Sequence, residues 1–310
     1  MPGWLEVQDE CRIAGSGFDG VRRKYLKELR QLTGRNLIIY YSGWLQKGDM
    51  PGLSRATFAL NDNDKNGFMA AIHKLDRSLG LDLVLHTPGG EMAATESLVG
   101  YLRSMFGTNV RAIVPQIAMS AGTMMALACK NIVMGKHSNL GPIDPQIGGV
   151  PAHGLIEEAS DAITKVQQAP HTAPLYQMIF SKYSPTLLGE AQKAIIWSEK
   201  VVTHWLETGM FDGDPDASGK ARRVIDTFGD HALTLSHSRH ISADEARAAG
   251  VVVDSLEADK PLQEAVLSLH HACIQTLNAT NTLKIIENHD GVAFIMQAAT
   301  MISVNPLTGR

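Results

Sequence analysis

Short apolar runs alternate with amphipathic stretches through the first half of the chain. Residues 37–41 are a short apolar run rich in β-forming side chains, and residues 81–86 are mostly apolar, which predicts two buried strands. Residues 66–79 carry large apolar side chains at helical spacing, and residues 94–105 repeat that spacing before a third apolar run at 110–114. Strand, helix and strand in succession form a βαβ unit, which requires a parallel sheet with a right-handed crossover. We therefore predict an α/β fold with its chemistry at the carboxyl ends of the strands.

The pattern loosens after residue 140. A helix at 121–129 and a strand at 132–134 continue the alternation, and a segment rich in Gly and Pro follows at 141–151. Helices are predicted in the second half at residues 185–206, 220–228, 243–249 and 261–276. The predicted units are a helical N-terminal lead-in, a main domain, and a C-terminal helical or oligomerisation segment, covering residues 1–35, 36–260 and 261–310.

Composition and charge narrow the class of protein. The chain has 310 residues, with 28 Lys and Arg against 32 Asp and Glu, and its net charge of -4 predicts neither disorder nor a nucleic-acid partner. Three cysteines, Cys11, Cys129 and Cys273, lack the spacing of a disulfide framework or a zinc site, which favours a reducing, cytoplasmic location. Polar residues interrupt the uncharged stretches at 112–129 and 291–309, so we expect no membrane span. Charged residues near the N-terminus argue against a secretion signal.

One polar segment is similar to the start of a calcium-binding loop. Residues 62–67 match the first six positions of an EF-hand loop, but the twelfth position, which requires a bidentate Glu, is His73. We interpret the segment as a polar turn that begins a helix. Neither a metal nor an organic cofactor is predicted.

Two turns carry the candidate chemistry, and each joins a predicted strand to a predicted helix. The first is Thr87-Pro88-Gly89-Gly90 and the second is Ala118-Met119-Ser120-Ala121-Gly122. A pair of glycines lets backbone N–H groups point at an incoming oxygen, as an oxyanion hole requires. A serine between small residues can present its hydroxyl to the same point. Either turn alone is a common way to end a strand or begin a helix. Together, the two turns predict a nucleophilic serine beside an oxyanion hole.

The sequence around these turns resembles the Clp-fold serine peptidases, and among them the serine dehydrogenase proteinase (SDH) family related to signal peptide peptidase A. Three ordered segments carry the resemblance, residues 83–90, 118–123 and 140–146. It extends through residues 181–186, 192–195 and 240–246, and covers about residues 35–290. The resemblance implies a repeated ββα superhelix core of the Clp and crotonase type, an acyl-enzyme serine mechanism, a polypeptide substrate and a homo-oligomer.

The resemblance makes Ser120 the nucleophile, but it leaves the general base open. In the Clp proteolytic subunit the base is a histidine, and its position falls near Ile143 or Asp144 in this chain. The chain therefore departs from the histidine pattern. His137 lies seven residues before that position and remains an alternative base.

Signal peptide peptidase A and its relatives use a lysine from a downstream helix, and Lys193 occupies the corresponding position. A lysine that acts as a base near neutral pH must lose its charge, which requires roughly 4 kcal/mol of differential solvation. We expect Ile196 and Trp197, apolar neighbours of Lys193, to supply that burial. An ordinary solvated lysine is the alternative interpretation. Lys165 and Lys200 are the reserve candidates.

The predicted function is thus a serine endopeptidase with a Ser-Lys dyad. The backbone amides of Gly89, Gly90 and Ala121 would hold the oxyanion, while Asp144 and His86 are candidates for ordering the site. A tight turn alone would also explain Asp144. Two alternatives remain: a catalytically silent scaffold that binds peptides, and a crotonase-like acyl-CoA hydratase or hydrolase, which would not require a serine at this turn.

Overall fold

Seven strands form the central sheet within the part of the chain that the computed structural model describes, residues 3–15, 17–229 and 238–298. The strands, including those of two smaller sheets, are Asn36–Ser42 (β1), Leu81–His86 (β2), Val110–Val114 (β3), Ile117–Ala118 (β4), Asn131–Met134 (β5), Asn139–Leu140 (β6), Gln146–Ile147 (β7), Val150–Pro151 (β8), Ile241–Ser242 (β9), Val253–Ser255 (β10), Thr282–Asn288 (β11) and Ala293–Gln297 (β12). The helices are Trp4–Ile13 (α1), Phe18–Thr33 (α2), Trp44–Lys47 (α3), Arg55–Phe58 (α4), Asp64–Ile72 (α5), Met92–Phe106 (α6), Ala121–Leu127 (α7), Ala152–Gln168 (α8), Ala173–Phe180 (α9), Leu187–Trp205 (α10), Ala217–Gly229 (α11), Ala243–Ala248 (α12) and Lys260–Ala279 (α13).

The central sheet has the strand order β10-β5-β3-β2-β1-β11-β12. The first five of these strands run parallel, while β11 lies antiparallel to β1 and β12 antiparallel to β11. Every residue of β1 and β2 is buried. Because helices cover both faces, most residues of these strands are apolar on both sides of the sheet.

The side chains of β1 alternate between two hydrophobic cores. Ile38 and Tyr40 belong to the core that includes residues of α5, α6 and α7, and Leu37, Ile39 and Tyr41 belong to the core that includes residues of α1, α2 and α13. The predicted N-terminal lead-in is helical, as expected, and it packs against α13 as part of the second core.

The structure confirms the α/β class and the parallel sheet. The predicted strands at 37–41, 81–86 and 110–114 fall within β1, β2 and β3, and their pairing is parallel. The segment that is similar to a calcium-binding loop forms a turn and begins α5, as predicted. The predicted helix at 66–79 is shorter, because α5 ends at Ile72 and Arg77–Leu79 form a separate 3-10 turn. No helix in the described ranges is both long and apolar enough to cross a bilayer.

The prediction of a helical segment at 261–310 is wrong beyond α13. Instead, β11 and β12 form a hairpin that extends the sheet beside β1. β11 was missed because its charged residues Lys284 and Glu287 interrupt the apolar pattern that predicts a buried strand. In the structure both residues are fully buried and paired with opposite charges. Residues 299–309, the end of the uncharged stretch, lie outside the part of the chain that the structure describes.

Candidate active site

Ser120 occupies the turn between β4 and α7 with φ +48° and ψ −116°. Among the described non-glycine residues, only Ser120 and Lys74 have positive φ. Such a backbone costs about 1–3 kcal/mol and persists only where its surroundings enforce it. A strained turn from strand to helix is also the arrangement that exposes a nucleophilic serine in α/β hydrolases.

The serine turn is held against the diglycine turn by backbone hydrogen bonds. The Met119 N–H donates to the Thr87 carbonyl at 3.0 Å, and the Thr87 N–H donates to the Ile117 carbonyl at 3.3 Å. These bonds continue the parallel pairing of the sheet beyond β2. They bring together two turns that are about 30 residues apart in sequence.

Neighbouring atoms lie so close to Gly89 and Gly90 that neither position has room for a side chain. Gly89 has φ +96°, and a Cβ atom there would lie 2.6 Å from the Ser120 Cβ and 3.0 Å from the Ala121 nitrogen. A Cβ atom at Gly90 would lie 2.2 Å from the Leu60 carbonyl oxygen. The structure therefore brings Gly89, Ser120 and Ala121 into direct contact, as the sequence predicts for the two turns.

Two backbone amides at this contact are free to donate. The N–H groups of Gly90 and Ala121 have no acceptor among the residues that the structure describes. The Gly89 carbonyl accepts from the Leu60 N–H at 2.8 Å. Because the carbonyl and N–H of a trans peptide point in opposite directions, the Gly90 N–H points away from Leu60. This arrangement can hold an oxyanion formed at Ser120.

The segment at 140–146 packs on the other side of the serine turn. A Cβ atom at Gly141 would lie 2.6 Å from the Met119 Cε. Asp144 is buried, with 1% of its surface exposed. The Ser198 hydroxyl of α10 donates to the Ile143 carbonyl at 3.1 Å. This segment thus joins the serine turn to the helix that carries Lys193.

Contacts between α10 and α6 show which turn of α6 lies beside Lys193. Trp197 Nε1 donates to Glu96 Oε2 at 2.9 Å, and the Arg103 guanidinium donates to the Trp205 carbonyl at 2.6 Å. The two helices therefore run in the same direction. Lys193 is one turn before Trp197, which puts it level with the first turn of α6, immediately after the diglycine turn.

The burial predicted for Lys193 is absent in the single chain. Lys193 is exposed, and Ile196 and Trp197 are themselves 55% and 38% exposed. The two reserve candidates, Lys165 on α8 and Lys200 on α10, are exposed as well. Desolvation of any of these lysines requires a bound substrate or a second chain.

His86 packs in an aromatic cluster on the opposite face of β2 from Thr87, because side chains alternate along a strand. Its ring centroid lies 4.6 Å from that of Trp44, 5.3 Å from that of Tyr41 and 5.5 Å from that of His270. The ring nitrogens of His86 have no partner among the described residues, and burial lowers its pKa to about 3. The structure thus gives His86 a packing environment and does not link it to Ser120 by a hydrogen bond.

His137, the alternative base, is exposed after β5. Its ring lies beside Gly135, next to the carboxylate of Glu257. Among residues 3–15, 17–229 and 238–298, no three or more His, Cys, Asp or Glu side chains are arranged to hold a metal ion.

A family profile matches residues 55–255, about two thirds of the chain, and its description is ClpP-like SDH-type serine proteinase. The chain belongs to this family. The match confirms the resemblance seen in the sequence. It includes both turns of this SDH-type proteinase and all of α10, and it leaves out β1, α13 and the hairpin of β11 and β12.

Two curated proteins of Methanocaldococcus jannaschii, both described as uncharacterized, are similar to this SDH-type proteinase. Each is 37% identical over 94 residues, which is 30% of this chain and 32% of the relative. The chain therefore matches about a third of the length of these relatives.

Sequence analysis missed the polar residues behind the diglycine turn. Lys284 and Asp64 form a fully buried ion pair at 3.0 Å, and Tyr40 donates to the same carboxylate. The available signal was a lone lysine in the apolar run at 283–286. Its partner lies in the segment interpreted only as a polar turn.

Proposed function

We propose that this SDH-type proteinase is a serine endopeptidase that cleaves polypeptides through a covalent acyl-enzyme on Ser120. The observation that carries the proposal is the strained Ser120 turn, packed against the diglycine turn with two free amides beside it. Strained backbone of this kind is concentrated at active sites. The family of ClpP-like serine proteinases supports the same chemistry.

In the proposed mechanism, the Ser120 hydroxyl oxygen attacks a peptide carbonyl and its proton passes to the neutral amine of Lys193. The resulting oxyanion accepts hydrogen bonds from the amides of Gly90 and Ala121. Gly89, the third predicted donor, provides only the close approach, because its N–H already donates to the Thr87 hydroxyl. As the peptide bond breaks, Lys193 returns the proton to the leaving amine. Water then hydrolyses the acyl-enzyme and regenerates Ser120.

The level of Lys193 beside the first turn of α6 supports its assignment as the base. Lys193 is exposed in the single chain, so its role as a neutral base requires that bound polypeptide or a second copy of the chain cover it. We therefore propose a homo-oligomer as the working form. Asp144, buried between the serine turn and α10, is proposed to order the site.

Two finer features belong to the same proposal. We propose that the strands and helices around the two turns follow the repeated ββα superhelix of Clp-type peptidases, which the parallel sheet and the family match support. We also propose a cytoplasmic location. The three cysteines are all buried and unpaired, which is typical of a reducing compartment.

A fluorophosphonate probe tests the proposal directly. The purified chain is treated with the probe, the adduct is mapped by mass spectrometry, and hydrolysis of denatured casein is followed in parallel. We expect one adduct, on Ser120, and loss of hydrolysis in proportion to labelling. Hydrolysis that survives complete labelling of Ser120 would exclude it as the nucleophile. If neither labelling nor hydrolysis occurs, the peptide-binding scaffold becomes the better interpretation.

The base assignment predicts that Lys193→Ala lowers kcat for casein by about 10²–10⁴-fold, because positioned proton transfer contributes that much. Lys200→Ala provides a matched comparison, since it removes an exposed lysine from the same helix. Together with Lys165→Ala, it is expected to stay within about two-fold of the unmodified chain. Loss of activity in either comparison variant, with Lys193→Ala active, would transfer the role to that lysine.

A further inference from the structure

A buried ion pair lies behind the diglycine turn and takes no part in the proposed proton transfers. Lys284 of β11 and Asp64 at the start of α5 are both fully buried, with Lys284 Nζ 3.0 Å from each carboxylate oxygen. Lys284 Nζ also donates to the Ala59 carbonyl at 2.6 Å, and Asp64 Oδ2 accepts from the Asn61 N–H at 3.1 Å. The pair therefore fixes the chain on both sides of Leu60.

A line of polar groups connects this pair to the diglycine turn. The Gly89 N–H donates to the Thr87 hydroxyl at 3.1 Å, and the Thr87 hydroxyl lies next to the Tyr40 hydroxyl. Tyr40 donates to Asp64 Oδ2 at 2.9 Å. Burial, followed by the charge of Asp64, raises the pKa of Tyr40 well above its usual value, so its hydroxyl stays protonated and remains a donor. The Thr87 and Tyr40 hydroxyls thus lie in line between the Gly89 N–H and the Asp64 carboxylate.

The same pair also acts through Leu60. The Leu60 N–H donates to the Gly89 carbonyl at 2.8 Å, and the Leu60 carbonyl accepts from the Glu91 N–H at 2.9 Å. Gly89 is therefore held at its N–H through Thr87 and at its carbonyl through Leu60. These two contacts determine the orientation of the peptide that ends in the Gly90 N–H.

We propose that Tyr40, Asp64 and Lys284 are positioning residues, which hold the diglycine turn so that the Gly90 N–H meets the oxyanion at Ser120. The inference rests on the function proposed above. It assigns a role to β1 and β11, both of which lie outside the family match. Tyr40 and Lys284 act through Thr87 and Leu60, without touching the reacting atoms.

Single replacement of Asp64 or Lys284 would leave a buried charge without a partner and endanger folding, so the test uses hydroxyl deletions. Tyr40→Phe removes the link to Thr87. Tyr41→Phe is the matched control, because its equally buried hydroxyl contacts His270 Nδ1 on the other face of β1. Thr87→Val and Thr87→Ser form a second pair, in which only the serine keeps a hydroxyl.

We expect Tyr40→Phe and Thr87→Val each to lower the maximal rate of Ser120 labelling by fluorophosphonate about 10-fold, with the half-saturating probe concentration within two-fold. Amide hydrogen exchange in peptides covering residues 86–92 should accelerate about 10-fold in the same variants. Tyr41→Phe and Thr87→Ser should stay within two-fold in both measurements. The double variant Tyr40→Phe/Thr87→Val should be no slower than either single variant, because the two hydroxyls act in one line.

The exchange measurement needs no peptidase activity, so it separates this proposal from the proposed function. Faster exchange without any labelling of Ser120 would support the network and reject the nucleophile. Normal labelling and normal exchange in folded Tyr40→Phe would overturn the network and leave the nucleophile intact. If Tyr40→Phe does not fold, equal behaviour of Thr87→Val and Thr87→Ser overturns the proposal.

Discussion

Replacement of Ser120 by alanine is expected to reduce casein hydrolysis on the order of 10⁴-fold or more, because loss of the nucleophile removes the covalent route and leaves only binding and the oxyanion contacts. Fluorophosphonate labelling should disappear with it. The fold should be retained, since alanine fits wherever the serine side chain fits. Hydrolysis at the level of the unmodified chain would contradict the assignment of Ser120.

The backbone at Ser120 adds a stability test to the same experiment. Its φ of +48° is strained for any side chain with a Cβ atom, and glycine adopts such a φ freely. Ser120→Gly should therefore be as inactive as Ser120→Ala but more stable by about 1 kcal/mol, once the greater freedom of unfolded glycine is included. For a chain of 310 residues, we expect a Tm about 1–2 °C above that of Ser120→Ala. Equal Tm values for the two variants would contradict strain at this turn.

Acid is expected to destabilise the protein strongly through the aromatic cluster around His86. Burial lowers the pKa of His86 to about 3, whereas an unfolded histidine titrates near 6.5. Below pH ~6.5 the unfolded chain binds a proton that folded His86 does not, so stability falls by about 1.4 kcal/mol per pH unit. This one group accounts for about 5 kcal/mol of stability that is present above pH ~6.5 and lost by about pH 3. Such a loss is comparable with the whole stability of many domains.

Two neighbouring histidines, His270 and His271, also make the folded protein less stable in acid. Burial, followed by the charges of His86, His271 and His137, holds the pKa of His270 well below its usual value, and burial lowers the pKa of His271. Tyr41 of β1 donates or accepts at His270 Nδ1 and carries no charge at acidic pH. Acid unfolding should therefore be cooperative and steeper than one histidine alone would give.

Circular dichroism across pH 7 to 3 checks this expectation. His86→Phe keeps a ring in contact with Trp44 and removes the titrating group, so its midpoint of acid unfolding should lie about half a pH unit or more below that of the unmodified chain. His73→Gln is the matched control, because His73 is exposed and its removal should leave the midpoint unchanged. An unchanged midpoint in His86→Phe would show that the cluster does not govern acid stability.

The sequence predicted the parallel part of the sheet because buried strands such as β1 and β2 are short, mostly apolar runs that alternate with segments of helical spacing. It predicted that the Ser120 turn and the diglycine turn lie together, because both follow strands whose carboxyl ends meet at the same edge of the sheet. It could not predict β11, since Lys284 and Glu287 break the apolar pattern and their partners, Asp64 and Arg22, lie more than 200 residues away.

Contacts between distant parts of the chain also explain why the predicted burial of Lys193 is absent. Ile196 and Trp197 are apolar in sequence, but which face of α10 is covered depends on tertiary packing, and the single chain leaves both more than a third exposed. His86 shows the reverse case. A polar residue next to the diglycine turn suggested chemistry, yet strand alternation directs its ring into the opposite core.

The position of β1 between β2 and β11 has a consequence for synthesis of the chain. The antiparallel partner of β1, β11, is made about 240 residues after it. Until residues 282–288 emerge from the ribosome, one side of β1 is an open edge of seven buried-type residues, which can pair with other chains. The sheet of the nascent protein therefore cannot be completed before residues 282–288 are made, and truncations that remove β11 should aggregate rather than yield a smaller folded protein.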